Sequence, residues 1–451
     1  MGAIEYYGQW WLPEKPENKV SGKLNFEWGK SATLSLDGAF GNVHEENFYD
    51  IILGDSLGVD MSLVSCFQSG ASILIRNERE YTKSEYHVSF FCTGFHFSKR
   101  QEITFRKISA KFSHLRNWLG PSIFSPSDRK DADQEYILRI KRPSIKEVVL
   151  DGMKLRIGGS VEGSHDLYHD SSRRSAYVQL EATSEIHLDS LFPILFHIRN
   201  FISLATGERV SFLTLEGEKT DLKPYERIDI FSGQTLGETG SDDKFAFSPV
   251  PIAYKEISEQ LGSYIMNWFK MIRRIEPAYQ LFFGNLYRNE YPVNEFLAYV
   301  QSIEAYHCRT FENAIVDPSL FAKSKAHFLR IVDEFLMEYA SDFKTKIDYM
   351  NTRSLRSRLG ELLNKYSYLS EMIAENPKSF VGQVVETRNY YTHYDPKSGT
   401  EVSDNDRLFF LKDSLRLLLT AIFLDEIGFN EAQIKQIVQI YSIHRTKAIY
   451  R

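Results

Sequence analysis

The first 120 residues alternate hydrophobic and polar positions in a way that predicts β-strands. Segments with a period of two, or rich in β-branched residues, are separated by Gly, Asp and Asn, which favour turns. The predicted strands are Lys23–Trp28, Ala32–Leu36, Phe48–Leu53, Met61–Phe67, Ser72–Ile75 and Tyr86–Cys92. Residues 1–120 are therefore predicted to form a β-rich domain, sandwich-like or barrel-like.

Residues 121–245 mix strand and helix patterns. An amphipathic helix is predicted at Leu191–Leu204 and a strand at Arg209–Leu215, and the stretch Phe231–Pro251 is rich in Gly and Ser, as linkers are. Further short strands are predicted at Tyr136–Ile140, Lys146–Leu150, Lys154–Ile157 and Ala176–Leu180. We interpret this region as the second part of an N-terminal regulatory region, ending in a linker.

From residue 246 onward the periodicity is helical. Eight helices are predicted: Tyr254–Ile275, Pro277–Tyr287, Asn294–Cys308, Pro318–Tyr339, Ser354–Tyr366, Ser379–Tyr394, Asp404–Ile427 and Asn430–His444. Residues 246–451 are therefore predicted to be an all-α bundle, and the chain as a whole an α+β multidomain protein.

The helix predicted at Ser379–Tyr394 has two distinct faces, and Pro396 is expected to end it. At about 100° per residue, one face is apolar and includes Phe380, Val381, Val384 and Val385. The other face is polar and includes Gln383, Glu386, Asn389, Tyr390 and His393. Arg388 falls on the apolar side, where an unpaired charge is costly.

A second charge falls on an apolar face in the helix predicted at Asn294–Cys308. Glu304 lies within the arc formed by Phe296, Leu297, Val300, Ile303, His307 and Cys308. One misplaced acid and one misplaced base suggest a pair. We therefore predict that Glu304 and Arg388 face each other across two packed helices, or converge on one cleft.

Composition narrows the class of protein. A length of 451 residues suggests two to four domains, and 43% hydrophobic residues supply ample core. The net charge of −6 argues against a protein that coats nucleic acid, but allows a local basic cleft. Three cysteines are too few and too scattered for a disulfide framework or a zinc site. The longest apolar run, Leu417–Leu424, is too short to span a bilayer. We expect a soluble cytoplasmic protein that needs no metal or other cofactor and has no membrane contact.

The sequence from Arg388 to His393 reads Arg-Asn-Tyr-Tyr-Thr-His and combines groups suited to RNA cleavage. RNA carries its own nucleophile in the 2′-hydroxyl, so the protein must supply proton transfer and a cation beside the phosphate. His393 can transfer protons near neutral pH, and Arg388 can hold a phosphate with its planar fork. Asn389 lies four residues before His393, on the same helix face. The alternative is an arginine that caps the core and a histidine on the surface.

This arrangement resembles the R-x4-6-H signature of HEPN domains, which is carried near the end of a helix in an all-helical region. The resemblance implies a metal-independent endoribonuclease whose active site is shared by two chains. It also implies catalytic roles for Arg388, Asn389 and His393. From its position on the apolar face of the helix at Asn294–Cys308, we predict Glu304 in support. A homodimer is the minimum, and a higher homo-oligomer stays open. The alternative within the same class is a HEPN domain that dimerises or senses but does not cut RNA.

The N-terminal region is similar to that of ApeA-type abortive-infection proteins, whose C-terminal half is a HEPN domain. The segments that carry this resemblance are Gly8-Gln9-Trp10-Trp11-Leu12-Pro13, Gly22-Lys23-Leu24, Leu36-Asp37-Gly38 and Ile51-Ile52-Leu53-Gly54. The resemblance implies an anti-phage toxin that is held inactive until infection and then cleaves RNA, with tRNA as the expected target. A phage-derived protein is the expected activator.

Aromatic and basic residues near the helical motif are candidates for RNA contact. Tyr390 and Tyr394 can stack on unpaired bases, and Arg356 and Arg358 can guide the RNA backbone. The alternatives are a solvated basic face and core packing.

Two further motifs suggest functions that we do not favour, an esterase and a metal site. Gly54-Asp55-Ser56-Leu57-Gly58 matches the GDSL string and the nucleophile elbow of hydrolases, with Ser56 as the nucleophile. A strand follows it where an elbow needs a helix, so we predict a hairpin connection. His165 and His169 are candidate metal ligands, but we predict that they lie in a solvated loop because no third ligand is recognisable.

Overall fold

The computed structural model describes residues 3–42, 47–76, 79–120, 126–127, 139–140, 145–166, 169–221, 223, 226–237, 249–288, 290–374, 376–394 and 405–449. The chain divides into two compact units, Met1–Met266 and Asn267–Arg451. The domain boundaries expected near residues 120 and 245 stay predictions.

The N-terminal unit is built mainly from β-strands. In the described part of the chain they are β1 Ile4–Trp11, β2 Val20–Phe26, β3 Ala32–Leu36, β4 Phe48–Ser56, β5 Val59–Arg76, β6 Arg79–Thr93, β7 Thr104–Phe112, β8 Pro126–Ser127, β9 Arg139–Ile140, β10 Lys146–Leu150, β11 Met153–Asp166, β12 His169–His187, β13 Phe212–Glu218 and β14 Ile228–Ser232. Strands β1, β7, β8 and β14 were not predicted. The two strands predicted between Met61 and Ile75 are one strand, β5, which has a register shift between Gln68 and Gly70.

The first six strands close on themselves. All their pairings are antiparallel, in the circular order β1, β2, β3, β6, β5 and β4. Alternate side chains of β3, Ala32, Leu34 and Leu36, point into a buried core that also contains Trp10 and Phe26. This alternation is what a sheet with one buried face requires. The predicted β-rich, barrel-like region is confirmed.

The remaining long strands extend the same sheet. β14 pairs with β6 and β13, β13 with β7, and β7 with β12. β12 pairs in turn with β11, and β11 with β10. The sheet therefore joins strands from both sides of residue 120. The predicted amphipathic helix is α2, Leu188–Thr206, which ends at Gly207 in the left-handed conformation (φ 75°). The linker predicted at Phe231–Pro251 begins inside β14, and most of it, 238–248, lies outside the described residues.

Ser56 is the last residue of a strand and does not lie in a nucleophile elbow. Strands β4 and β5 form a hairpin in which Ser56 pairs with Val59. Leu57 and Gly58 make the two-residue turn, both with positive φ (52° and 81°), as a type I′ turn requires. The Ser56 hydroxyl is buried and donates a hydrogen bond to the Tyr7 carbonyl at 2.8 Å. The predicted hairpin is confirmed, and the esterase interpretation is wrong.

The two histidines considered as metal ligands also lie in a hairpin. His165 is in β11 and His169 in β12, and the two strands pair up to Asp166 and His169. The predicted loop is therefore wrong: the backbone at both positions is strand. Among the described residues, no group of three or more His, Cys, Asp or Glu side chains is arranged to hold a metal ion.

The C-terminal unit is helical, as predicted. The helices of the described residues are α1 Leu115–Leu119, α2 Leu188–Thr206, α3 Tyr254–Ile257, α4 Leu261–Leu286, α5 Pro292–Thr310, α6 Pro318–Phe335, α7 Ala340–Tyr349, α8 Leu355–Lys365, α9 Ser370–Ile373, α10 Pro377–His393, α11 Asn405–Ile427 and α12 Glu431–Ile449. The two helices predicted on either side of Pro277 are one helix, α4, with a kink at Ile275. A kink there is expected, because proline removes a backbone donor. Helix α7 was not predicted.

Helix α11 is the centre of the helical unit. From Leu415 to Leu424 its apolar side chains are fully buried on all sides, which marks a core helix. Helices α5, α10 and α12 pack against it, and α8 packs against α10. None of the helices in the described ranges is long and apolar enough to cross a membrane.

Candidate active site

Helix α10 carries the Arg388–His393 segment and has well-defined ends. It begins with Pro377, after Asn376 caps the helix by accepting a hydrogen bond from the Ser379 amide at 3.1 Å. It ends at Tyr394, which adopts the left-handed conformation (φ 50°) and whose amide donates to the Tyr390 carbonyl at 2.6 Å. His393 therefore lies in the last turn, as the sequence predicted, and is the last helical residue. Pro396 lies outside the described residues.

The buried face of α10 consists of Phe380, Val381, Val384 and Thr387. Arg388 lies at the edge of this face and is partly exposed. Its Nη1 donates to Oδ1 of the adjacent Asn389 at 3.2 Å. The expectation that Arg388 lies on the apolar side of the helix is therefore wrong, because Thr387 takes the core position next to it.

Glu304 does not pair with Arg388 within one chain. Helices α5 and α10 pack against each other, and Glu304 is partly exposed on α5. Among the described residues, however, no ion pair joins the two side chains. Cys308, expected on the apolar face of α5, is exposed. Convergence of Glu304 and Arg388 on one cleft stays a prediction.

The polar face of α10 is open to solvent near the end of the helix. Asn389 and His393 are exposed, and Tyr390 is partly exposed. Within the described ranges, no hydrogen bond links the Asn389 amide to the His393 imidazole. Both groups are therefore free to contact a ligand or another chain.

Three tyrosine rings cluster beside His393. The ring centroids of Tyr390 and Tyr391 are 5.2 Å apart, those of Tyr390 and Tyr394 are 5.9 Å apart, and those of Tyr391 and Tyr394 are 6.4 Å apart. Burial, together with the two neighbouring hydroxyls, raises the pKa of Tyr391. Tyr394 is 66% exposed. The cluster thus presents an aromatic surface at the end of the helix that carries His393.

The two arginines of α8 that were expected to contact RNA are in different environments. Arg358 is buried, and its Nη2 donates to Oδ1 of Asn313 at 2.7 Å. The prediction that Arg358 contacts RNA is therefore wrong, because its side chain is buried in the folded chain. Arg356 is exposed. Its guanidinium lies beside α10: Nη1 is 3.8 Å from the position that a Cβ atom would occupy on Gly382.

Sequence reasoning missed a polar cluster that joins α5 to α8. His307 is fully buried, and its Nε2 lies 2.9 Å from Oε2 of Glu361. Glu361 also pairs with Arg353 at 3.4 Å. Burial lowers the pKa of His307, while the hydrogen bond to Glu361 opposes this shift. The three residues lie 8 to 54 positions apart, and His307 was read only as part of an apolar face.

Sequence reasoning also missed a cavity of about 440 Å³ at the first turns of α10. Its lining residues are Glu371, Met372, Ile373, Ala374, Asn376, Ser379, Phe380, Gln383 and Phe410. Gln383 belongs to the polar face that also carries Asn389 and His393. No motif marks this cavity, because three separate segments form it.

The fold and the α10 segment together match the expected class of protein: a β-rich N-terminal unit followed by a helical unit that carries the R-x4-H segment typical of HEPN domains. Family comparisons give the particular family. The model of ApeA N-terminal domain 1 matches residues 5–268, and the model of the Apea-like HEPN domain matches residues 297–433. The chain belongs to the ApeA family, as its sequence predicted. The HEPN match places the helical unit in a family associated with nuclease activity. Neither the comparison with curated proteins nor the comparison with solved structures gives a match.

Proposed function

We propose that this protein is an anti-phage abortive-infection effector that cleaves RNA without a metal, at a site built from Arg388, Asn389 and His393. The observation that carries the proposal is the position of these side chains at the exposed end of α10, beside an aromatic cluster. Cleavage needs a proton acceptor, a proton donor and a cation near the phosphate, and these residue types supply all three.

The reaction follows from the RNA itself. The 2′-oxygen attacks the adjacent phosphorus, and its proton passes to an imidazole. The bond from phosphorus to the 5′-oxygen breaks, and a second imidazole protonates that oxygen. The products are a 2′,3′-cyclic phosphate and a 5′-hydroxyl. Arg388 neutralises the charge that develops on the phosphate oxygens, and Asn389 binds one of these oxygens or orients the imidazole.

One chain offers one His393, and the reaction uses two proton-transfer groups. We therefore infer that two copies place their α10 ends in one cleft, as the HEPN resemblance implies. The partly exposed Arg388 and the exposed Asn389 and His393 of each copy then form the cleft together with the same residues of the other copy. Glu304 supports Arg388 from α5 in this cleft.

RNA recognition is assigned to the surface around His393. Tyr390 and Tyr394 stack on unpaired bases, and Arg356 contacts the backbone. Single-stranded loops of tRNA are the expected target. The protein acts in the cytoplasm, and its N-terminal unit holds the nuclease inactive until a phage-derived protein relieves the restraint.

The test is RNA cleavage in EDTA by wild-type protein and by the variants His393→Ala and Arg388→Ala. Pooled tRNA and mRNA serve as substrates, with and without extract from infected cells. We expect the activated wild type to cut RNA and each variant to lose about 10²-fold or more in rate. His87→Ala, at an exposed histidine of β6, is the matched control. Equal behaviour of wild type and His393→Ala under every activating condition would instead identify a non-catalytic HEPN scaffold.

A further inference from the structure

The helical hairpin α6–α7 carries an apolar surface that nothing in the described chain covers. Eleven large apolar side chains between residues 315 and 350 are at least 38% exposed. Within α6 the buried side chain is Val332, and within α7 it is Ile347. Monomeric proteins rarely expose an apolar patch of more than a few hundred Å². The hairpin therefore has the character of an interface.

The exposed apolar residues of α6 form one stripe. Leu320, Phe328, Ile331 and Phe335 fall within an arc of about 80° at 100° per residue, and they are 57%, 40%, 52% and 71% exposed. With Ser324 included, the spacing along the helix is four, four, three and four residues. This is the spacing of a seam that packs against another helix.

The charges of the hairpin favour a second copy of the same chain as the partner. Residues 318–349 contain five basic and five acidic side chains, which argues against a nucleic-acid surface. Along α6, the basic residues Lys323, Lys325 and Arg330 come before the acidic Asp333 and Glu334. Two antiparallel copies of α6 would thus place the basic half of each beside the acidic end of the other.

Some of these charges are already paired and others are left for a partner. Lys325 pairs with Asp348, and Asp333 pairs with Lys344, within the hairpin. No ion pair to Lys323, Arg330 or Glu334 is found within the described ranges. Lys323 lies near the first end of the seam and Glu334 near the last, so an antiparallel contact would bring these two charges together, as a self-complementary interface requires.

The exposed area also fits a dimer. If each large side chain offers on the order of 100 Å², about half of what an aromatic residue can bury, the eleven residues offer roughly 1,000 Å². A standard protein interface buries about 800 Å² per partner. The four seam residues supply about 400 Å² of this, so a stable contact also uses the rest of the hairpin surface.

We propose that the α6 seam, Leu320, Phe328, Ile331 and Phe335, docks antiparallel against the same seam of a second copy. That a second copy is required rests on the proposed function. Where the two copies touch is inferred from the exposed apolar residues and the charges of the hairpin. The hairpin is joined to the site helix: Arg353 at its base bonds the Asn313 carbonyl at 3.0 Å and pairs with Glu361 of α8, which packs on α10. The contact therefore has a structural path to α10.

The first test is the mass of the full-length chain in sedimentation velocity at micromolar concentration. We expect wild type to be a dimer or larger, and the double variant Ile331→Glu/Phe335→Glu to move toward monomer mass with unchanged circular dichroism. Ala326→Glu adds one negative charge at an exposed position of α6 outside the seam and should keep the wild-type mass. A double variant with the wild-type mass would overturn the proposal. So would a monomeric wild type, which would leave the seam to a different partner.

A cross-linking test does not depend on a destabilising charge. Phe328→Cys in a Cys308→Ser background, which removes the exposed native thiol, should form a disulfide-linked dimer on mild oxidation, because residue 328 is the seam position nearest the middle and there lies close to the same residue of the second copy. Ala326→Cys in the same background should not, and equal cross-linking at both positions would contradict the proposal. His393→Ala should keep the wild-type mass. Loss of cleavage with intact assembly, or the reverse, therefore separates the proposed function from this contact.

Discussion

The His307 imidazole and the Glu361 carboxylate lie 2.9 Å apart and join α5 to α8. Glu361 also pairs with Arg353, so one carboxylate connects two helices and the base of the α6–α7 hairpin. Because α8 packs on α10, this cluster supports the position of the candidate active site. Leaving a buried polar group without its hydrogen bond costs free energy of folding.

Replacing Glu361 with alanine should destabilise the helical unit. The variant leaves the Nε2–H group of the buried His307 without its acceptor, and we expect the free energy of unfolding to fall by roughly 1–3 kcal/mol. Denaturant unfolding followed by far-UV circular dichroism measures this loss. Glu312→Ala, at an exposed acid nearby, should change the free energy by less than about 0.5 kcal/mol. Equal effects of the two variants would show that the His307 contact contributes nothing to stability.

The same cluster predicts a pH dependence. Burial lowers the pKa of His307 from its ordinary 6.5, with Glu361 opposing the shift and the Arg358 and Arg353 charges adding to it. As the pH falls through 6.5, the unfolded chain therefore binds a proton that the folded chain resists, and stability is lost. We expect the free energy of unfolding to decrease between pH 7.5 and 5.5, and the decrease to be smaller in His307→Gln. An identical decrease in both proteins would assign the pH dependence to other groups.

Arg356 and Arg358 should respond differently to the same substitution. Arg358→Met removes a buried charge-assisted hydrogen bond to Asn313, so we expect a loss of roughly 1.5–3 kcal/mol in unfolding free energy. Arg356→Met, at an exposed position, should change stability by less than about 0.5 kcal/mol. It should instead weaken RNA binding and reduce the salt dependence of that binding. Fluorescence anisotropy with labelled RNA at several salt concentrations tests this, and unchanged affinity would remove Arg356 from the RNA surface.

These two arginines also show what the sequence could and could not predict. Periodicity correctly predicted a helix at this position, but it assigned the same RNA-binding role to both arginines. Their difference arises from Asn313, which is 45 positions from Arg358 and whose approach depends on the folded hairpin. Long-range contacts of this kind also set the His307 cluster and the cavity beside α10. Neither leaves a local signal.

Helix faces were predictable only to within one residue. The expected apolar side of α10 is buried at Phe380, Val381 and Val384, yet Thr387 and not Arg388 completes it. A long arginine side chain at the boundary extends to solvent, so periodicity alone cannot decide such a position. Strand β1 was missed for a similar reason: Tyr7 is 61% exposed, and an aromatic residue on the solvent face obscures the alternation.

Tyr394 gives the last prediction because its backbone is strained. A bulky residue in the left-handed region costs about 1 kcal/mol, and such strain is often kept where it serves function. Tyr394→Gly removes the strain but also the ring contacts with Tyr390 and Tyr391, so stability should change by less than about 1 kcal/mol. In a His393→Ala background, which prevents cutting, we expect RNA affinity to fall by roughly 5- to 150-fold, the value of one stacked base. Tyr394→Phe keeps the ring and should bind RNA like its parent. If Tyr394→Gly binds RNA equally well, the left-handed tyrosine serves only to end the helix.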